Sequence, residues 1–168
     1  MRELTIQLLG AAVLRQRAAE VEVFDDGLRD LIQAMFRTMY LSDGQGLAAP
    51  QVDLSQRVIV VDLRDDSKPL ALVNPVIVKR GPAREKFKEG CLSIPGVTGL
   101  VERDVRITVE ARSPDGEPLR IEAEGNLADC IQHEVDHLEG VLFIDHLSPL
   151  ERQLVLKRYR KLRKREEA

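Results

Sequence analysis

The segment at 131–138 limits what this 168-residue chain can fold into more than any other feature. It reads I-Q-H-E-V-D-H-L, and side chains four residues apart project from the same face of an α-helix. His133 and His137 can therefore bind one metal ion while Glu134 reaches the same side. Apolar residues at helical spacing support a core-facing stripe: Leu127, Ile131, Val135 and Leu138. We predict a buried helix that carries two metal ligands and a base.

The composition is that of an ordinary globular protein, with 43% hydrophobic and 32% charged residues. We predict one domain over 1–168. No signal-like opening and no apolar run of about 20 residues is present, so we expect a cytoplasmic protein with no membrane contact. The only cysteines, Cys91 and Cys130, are far apart and do not suggest a disulfide framework.

The remaining pattern predicts an α+β chain. A helix should begin at Asp25 or Asp26 and end near Ser42. A short strand is predicted at 4–9, followed by a loop to about 23. Further strands are expected at 57–63, 70–78 with a break at Asn74–Pro75, 83–88, 101–111 and 118–123. The last two should form a hairpin closed by the turn at 113–116.

Cys91, in an E-G-C-L-S segment, has two interpretations. An isolated cysteine is most often a small buried hydrophobic residue. Together with His133 and His137, however, it completes a set of three ligands, which leaves a tetrahedral metal with one open position for water. A metal can bring the pKa of that water to about 7, and Glu134 can accept its proton as hydroxide attacks a carbonyl carbon. The pattern therefore favours metal-assisted hydrolysis.

The segment at 44–51 reads G-Q-G-L-A-A-P-Q. Its two glycines permit the main chain to approach a ligand closely, although taken alone the segment could equally be a turn. It is not a phosphate loop, because neither G-x-G-x-x-G nor a following Lys-Ser/Thr is present.

Three motifs stand in order along the chain: G-Q-G-L-A-A-P-Q at 44–51, E-G-C-L-S at 89–93 and Q-H-E-V-D-H at 132–137. In sequence and spacing they resemble the three signatures of the peptide deformylase family, and the resemblance covers essentially the whole chain. Members of this family remove the formyl group from the N-terminal methionine of nascent bacterial and organellar polypeptides. The resemblance implies the same hydrolysis here, with N-formylated nascent peptides as the substrates.

The resemblance also implies a role for each motif residue. Cys91, His133 and His137 would bind the metal, with a metal-bound water as the nucleophile and Glu134 as the general acid/base. Family resemblance implies Fe²⁺ as the native ion, whereas Zn²⁺, Ni²⁺ or Co²⁺ can substitute, and the donor types alone do not decide between them. Asp136 is not required as a ligand and would instead pair with an arginine such as Arg103 or orient a histidine. His146, outside every motif, is expected to be a non-ligand residue.

Further groups are implied around the reacting carbonyl. The side-chain amide of Gln51 and the backbone N–H of Leu92 would stabilise the oxyanion, since such donors can each contribute ~10²–10³ in rate. Backbone groups around Gly46 and Gly90 would hold the peptide in an extended conformation by β-augmentation.

The chain departs from the family pattern in the pocket for the first side chain. Gln45, Asn126 and Asp129 stand where aliphatic residues are common, whereas Phe87 and Cys130 would still line the pocket. One hypothesis is that selectivity for methionine is weakened or redirected, because an apolar side chain gains less between polar walls. The alternative is that Asn126 caps the helix and Asp129 faces solvent.

The C-terminal segment is predicted to form a basic helix at about 149–165, beginning with an S-x-x-E capping box at 148–151. The stretch from 152 to 165 carries eight Lys or Arg and no acid, although the net charge of the whole chain is −3. Such a segment can be a solvated amphipathic helix. The functional alternative is that it contacts ribosomal RNA phosphates.

Two other functions are compatible with the H-E-x-x-H motif alone. A zincin-type endopeptidase shares it, but the third ligand of that class follows the motif, whereas here the candidate is the upstream Cys91. A purely structural metal site is disfavoured because it would not require Glu134 or Gln51. We expect antiparallel or mixed sheets around a central metal-binding helix, with N-terminal and C-terminal helices packed outside.

Overall fold

The structure is a computed structural model that describes residues 3–167. The fold is α+β, with three α-helices and seven strands in that range. The helices are α1 Asp26–Leu41, α2 Asn126–Leu138 and α3 Pro149–Glu167. The strands are β1 Gly46–Ala48, β2 Val58–Val61, β3 Leu70–Arg80, β4 Arg84–Cys91, β5 Ile94–Asp104, β6 Arg106–Arg112 and β7 Pro118–Glu124.

Two antiparallel sheets surround α2. One has the strand order β1-β2-β3-β6-β7, and the other is the β4-β5 pair. Ile131 and Leu138 on α2 are fully buried in a core cluster with strand residues such as Ile59, Leu72 and Val109. The predicted stripe is thus the surface that fixes α2 between the sheets, as the α+β prediction required.

The outer helices begin where local sequence predicted. The Asp25 side chain accepts a hydrogen bond from Leu28 N at 3.0 Å and caps α1, which packs against β1 and β2. Ser148 and Glu151 form the capping box of α3, with Ser148 Oγ 2.9 Å from the Glu151 carboxylate, and α3 packs against β5. Among residues 3–167, none of the helices combines the length and apolar character needed to span a membrane.

Several strand predictions were wrong. The expected strand at 101–111 is two strands, because the chain passes from one sheet to the other at Val105, whose N–H and carbonyl bond to Ala83 and Gly125 instead of a strand partner. Residues 4–9 form no strand, since Gln7 N and Leu9 N donate to two separate segments. The predicted loop contains a short 3-10 helix, Ala12–Arg15.

The predicted break at Asn74–Pro75 is a bulge within the continuous strand β3. Asn74 has a positive φ of 53°, a conformation that asparagine tolerates better than most residues. Its side-chain amide both donates to and accepts from the backbone of Val21, each at 2.9 Å. These bonds satisfy the backbone groups of Val21, which lies outside the strands, and attach that segment to the bulge.

Candidate active site

The end of β4 and the buried face of α2 bring together three side chains of the types that bind metals. Cys91 is the last residue of β4, and His133 and His137 lie on the buried face of α2. One donor atom from each lies within 4.8 Å of the other two, and Cys91 Sγ is 3.4 Å from His137 Nε2. Two sequence segments more than 40 residues apart thus converge on one point.

This arrangement fits a tetrahedral divalent metal. Ligand bonds of about 2.3 Å to sulfur and 2.0 Å to nitrogen place those two atoms about 3.5 Å apart. His133 Nδ1 is 2.8 Å from the Glu89 carboxylate, which leaves Nε2 free to bind a metal. Burial lowers the pKa of His137, so its imidazole is neutral and has a free lone pair.

Behind His133 lies a buried ionic network, of which sequence reasoning predicted the Asp136–Arg103 pair but not Glu89. Arg103 donates to both oxygens of Glu89, at 2.7 and 2.9 Å, and both side chains are about 95% buried or more. Although burial opposes the charge, the hydrogen bonds from Arg103 and His133 hold the pKa of Glu89 well below its usual range. Arg103 also donates to Asp136 at 2.7 Å, which confirms the predicted partner. His146 contacts the same Asp136 carboxylate at 2.8 Å.

Glu134 lines the same cavity as Cys91 and His133. Its side chain is buried, and its Oε1 has no hydrogen-bond partner among residues 3–167. Burial raises the pKa of Glu134 to about 7, which suits a group that must accept and return a proton near neutral pH. Gly46 on β1 passes so close that a Cβ there would be 2.5 Å from Glu134 Oε2.

Gln51 is oriented toward the same centre. It is 1% exposed, its Oε1 accepts from Ala48 N at 3.0 Å, and its Nε2 donates to Ser93 Oγ at 3.1 Å. The same Nε2 lies 3.5 Å from Cys91 Sγ. The side chain is therefore fixed with its donor beside the metal-binding sulfur.

These groups open onto a cavity of about 790 Å³. Its lining includes Gln51, Leu92, Gly46, Gly90 and most predicted pocket residues: Gln45, Asn126, Asp129 and Cys130. Phe87, which was also predicted for the pocket, lies on β4 and is not among the lining residues. Burial and the neighbouring Glu89 carboxylate raise the pKa of Asp129 to about 8.

Comparison with known proteins identifies relatives along nearly the full length. The polypeptide deformylase family model matches residues 3–153. The peptide deformylase of Chromohalobacter salexigens is 51% identical over 96% of this chain and 95% of the relative, and that of Brucella suis is 48% identical over 92% and 90%. A crystal structure of a peptide deformylase from Legionella pneumophila has a TM-score of 0.94 at 42% identity, covering 99% of this chain and 98% of the other. One from Synechococcus elongatus, in complex with actinonin, has a TM-score of 0.89 at 47% identity, covering 92% and 86%.

Proposed function

The chain belongs to the polypeptide deformylase family of hydrolases, and we propose that it removes the N-terminal formyl group from formyl-methionyl nascent peptides and releases formate. The observation that carries this proposal is the Cys91, His133 and His137 cluster beside the unpartnered carboxyl of Glu134, at the inner end of an open cavity. An endopeptidase interpretation of H-E-x-x-H has no comparable support, since the ligand set includes an upstream cysteine.

The three clustered side chains would hold a divalent metal. When bound, such an ion lowers the pKa of a water molecule to about 7 and so supplies hydroxide at neutral pH. We propose Fe²⁺ as the native ion, and Zn²⁺, Ni²⁺ or Co²⁺ as substitutes, because imidazole and thiolate donors suit all four. Glu89 fixes His133 from behind by its hydrogen bond to Nδ1.

Glu134 would move the proton. Its unpartnered Oε1 can take the proton from the attacking water and deliver it to the amide nitrogen as the C–N bond breaks. The products are formate and a free α-amino group. Gly46 permits this carboxyl to approach the β1 backbone, where a bound peptide would lie extended.

Negative charge on the formyl oxygen would be stabilised by two donors. Gln51 Nε2 is already oriented, because Ala48 N–H holds the amide by its oxygen. Leu92 follows Cys91 directly and lines the cavity, and its backbone N–H would be the second donor. Donors held in place before the reaction need no reorganisation as charge develops.

The decisive test is formate release from a formyl-Met-Ala-Ser peptide by anaerobically prepared, iron-loaded protein. Glu134→Gln should lower kcat by at least about 10²-fold, because the amide cannot accept the proton. Glu124→Gln, an exposed change outside the cavity, is the matched control and should retain activity. Equal release by the Glu134→Gln variant would exclude the proposed role, and no release by the metal-loaded wild-type protein would exclude the function.

We further propose that the basic face of α3 contacts ribosomal RNA, which would place the enzyme in the cytoplasm beside emerging chains. Most Lys and Arg side chains of α3 are exposed, whereas Tyr159 anchors the helix to the domain. Deleting residues 158–168 should reduce co-sedimentation with ribosomes, and added salt should weaken it. Unchanged co-sedimentation after deletion would leave α3 as a solvated packing helix.

A further inference from the structure

The cavity wall that runs from His133 toward the start of α2 is polar. Asp129 and Asn126 lie four and seven residues before His133, at spacings that return to the same helical face. At 1.5 Å per residue they are about 6 and 10 Å from His133 along the helix axis. In the proposed function, a formyl group at Cys91 and His133 would bring the first side chain of the peptide beside this wall, because the same cavity continues along it.

Asn126 does not act as the N-cap of α2. The N-cap of α2 is Gly125, with no side-chain capping bond, and Asn126 is the first helical residue. Its amide has no hydrogen-bond partner within residues 3–167, and it lines the cavity. The expectation that Asn126 simply caps the helix therefore does not describe this site.

Asp129 also does not face open solvent. Its side chain is 17% exposed and lies against Glu89, which helps to raise its pKa, and its buried Oδ1 is 3.9 Å from Arg103 Nε. Gln45, which lines the same cavity, is exposed, and its side chain makes only a long bond of 3.4 Å to the Leu63 carbonyl. The pocket thus presents two amides with unused hydrogen-bonding capacity, and beside them the partly exposed carboxyl of Asp129.

We propose, on the basis of the proposed function, that this wall makes the enzyme accept uncharged polar first side chains of methionine's length, such as glutamine or methionine sulfoxide, nearly as well as methionine. Burying an apolar side chain against Asn126 and Asp129 removes water from both residues, and the apolar side chain cannot replace the hydrogen bonds that the water made. A polar side chain of the same length offsets the cost of its own desolvation by forming hydrogen bonds with Asn126 and Asp129. Acidic side chains are disfavoured, because Glu89 and Glu134 lie beside the same wall.

The test uses formyl-X-Ala-Ser peptides in which X is norleucine, methionine, glutamine or methionine sulfoxide, a series of nearly constant length. We expect kcat/KM for norleucine and glutamine to differ by less than about tenfold in the wild-type protein. In the double variant Asn126→Leu, Asp129→Ile the ratio should widen in favour of norleucine by about 10²-fold, as two polar contacts are lost. Glu124→Leu, a polar-to-leucine change outside the cavity, should leave the ratio unchanged.

The outcomes separate the inference from the proposed function. A wild-type preference of about 10³-fold for norleucine over glutamine overturns the inference but leaves deformylation intact. Absence of formate from every peptide overturns the proposed function and the inference with it. If the double variant unfolds, Asn126→Leu alone, at an exposed position, should still widen the ratio about tenfold. An unchanged ratio in a folded Asn126→Leu protein counts against the polar wall.

Discussion

At the scale of single residues, Gly46 is constrained by the Glu134 carboxyl that packs against it. A Cβ at this position would lie 2.5 Å from Glu134 Oε2 and 2.9 Å from Cys130 Sγ. Gly46→Ala should therefore displace the Glu134 carboxyl and lower kcat/KM for formate release by at least about 10²-fold, since small misplacements of catalytic groups are costly. Gly27→Ala, on α1 outside the cavity, where an added Cβ comes no closer than 3.3 Å to a neighbouring atom, is the control and should keep its kcat/KM. Wild-type activity in Gly46→Ala would show that the carboxyl can move without consequence.

Glu89 determines how His133 is held. Glu89→Gln keeps the side-chain shape but leaves the buried guanidinium of Arg103 without its bidentate carboxylate partner. We expect a loss of about 3 kcal/mol in unfolding free energy and a 10–100-fold weaker metal affinity, measured by urea denaturation and competitive chelation. Glu85→Gln, exposed on the same strand, should change neither quantity. Normal metal affinity in a folded Glu89→Gln protein would mean that His133 is oriented by other contacts.

The site residues that could be predicted from sequence are those whose spacing follows the period of a helix. His133, Glu134 and His137 follow from helical periodicity. Cys91 was inferred from ligand chemistry and the family resemblance, because no local rule brings a strand end to a helix 42 residues later. Glu89 was missed although a signal existed: it precedes Cys91 by two residues on a strand, so both side chains face the same way. The role of Glu89 depends on its partner Arg103, and only the fold brings these two residues together.

At the scale of elements, α1 depends on a capping bond that the sequence anticipated. Asp25→Ala removes the acceptor for Leu28 N and should lower the free energy of unfolding by about 1 kcal/mol in urea denaturation. Asp26→Ala tests a neighbouring acid whose side chain is 93% exposed and should cost clearly less. Equal losses would indicate a general charge effect in the first turn.

Strand prediction failed where a sheet, and not a local pattern, decides the boundary. Residues 101–111 contain no glycine or proline that would mark a break, yet β5 and β6 belong to different sheets. At the junction, Asp104 N and the Asp104 carbonyl bond to the side chain of Gln132 on α2. The break between β5 and β6 is therefore fixed by Gln132, 28 positions later in the chain, so the local sequence around Asp104 does not reveal it.

At the scale of the whole molecule, the site lies where separate cores meet. β1 supplies Gly46 from the five-stranded sheet, β4 supplies Cys91 from the two-stranded sheet, and α2 supplies Glu134 between them. The inner face of α2 belongs to one apolar cluster, α1 to a second, and α3 to a third with β5. Site geometry thus depends on how the two sheets pack across α2, which is why correct helices alone did not determine it.

A long-range ion pair connects the N-terminal segment to the region after α2. Arg15 donates to Asp145 at 2.6 Å, across 130 positions, and Asp145 also accepts from Leu142 N at 2.9 Å. Burial opposes its charge, but these bonds hold the pKa of Asp145 below its usual range. The charged form is therefore favoured by folding, so its contribution is complete above the unfolded-state pKa of about 3.9 and is lost as pH falls through the folded-state pKa.

Asp145→Asn should consequently cost about 1 kcal/mol in urea unfolding at pH 7, discounted because the Arg15 side chain is 47% exposed. The amide oxygen can still accept from Leu142 N–H, so the change isolates the charge. Below about pH 4 the wild-type advantage should shrink, since the wild-type carboxyl also becomes neutral. Asp66→Asn, at an exposed position, should show no difference at either pH. A wild-type advantage that persists undiminished at pH 2 would assign the stabilisation to packing, because a neutral carboxyl and an amide differ little in charge.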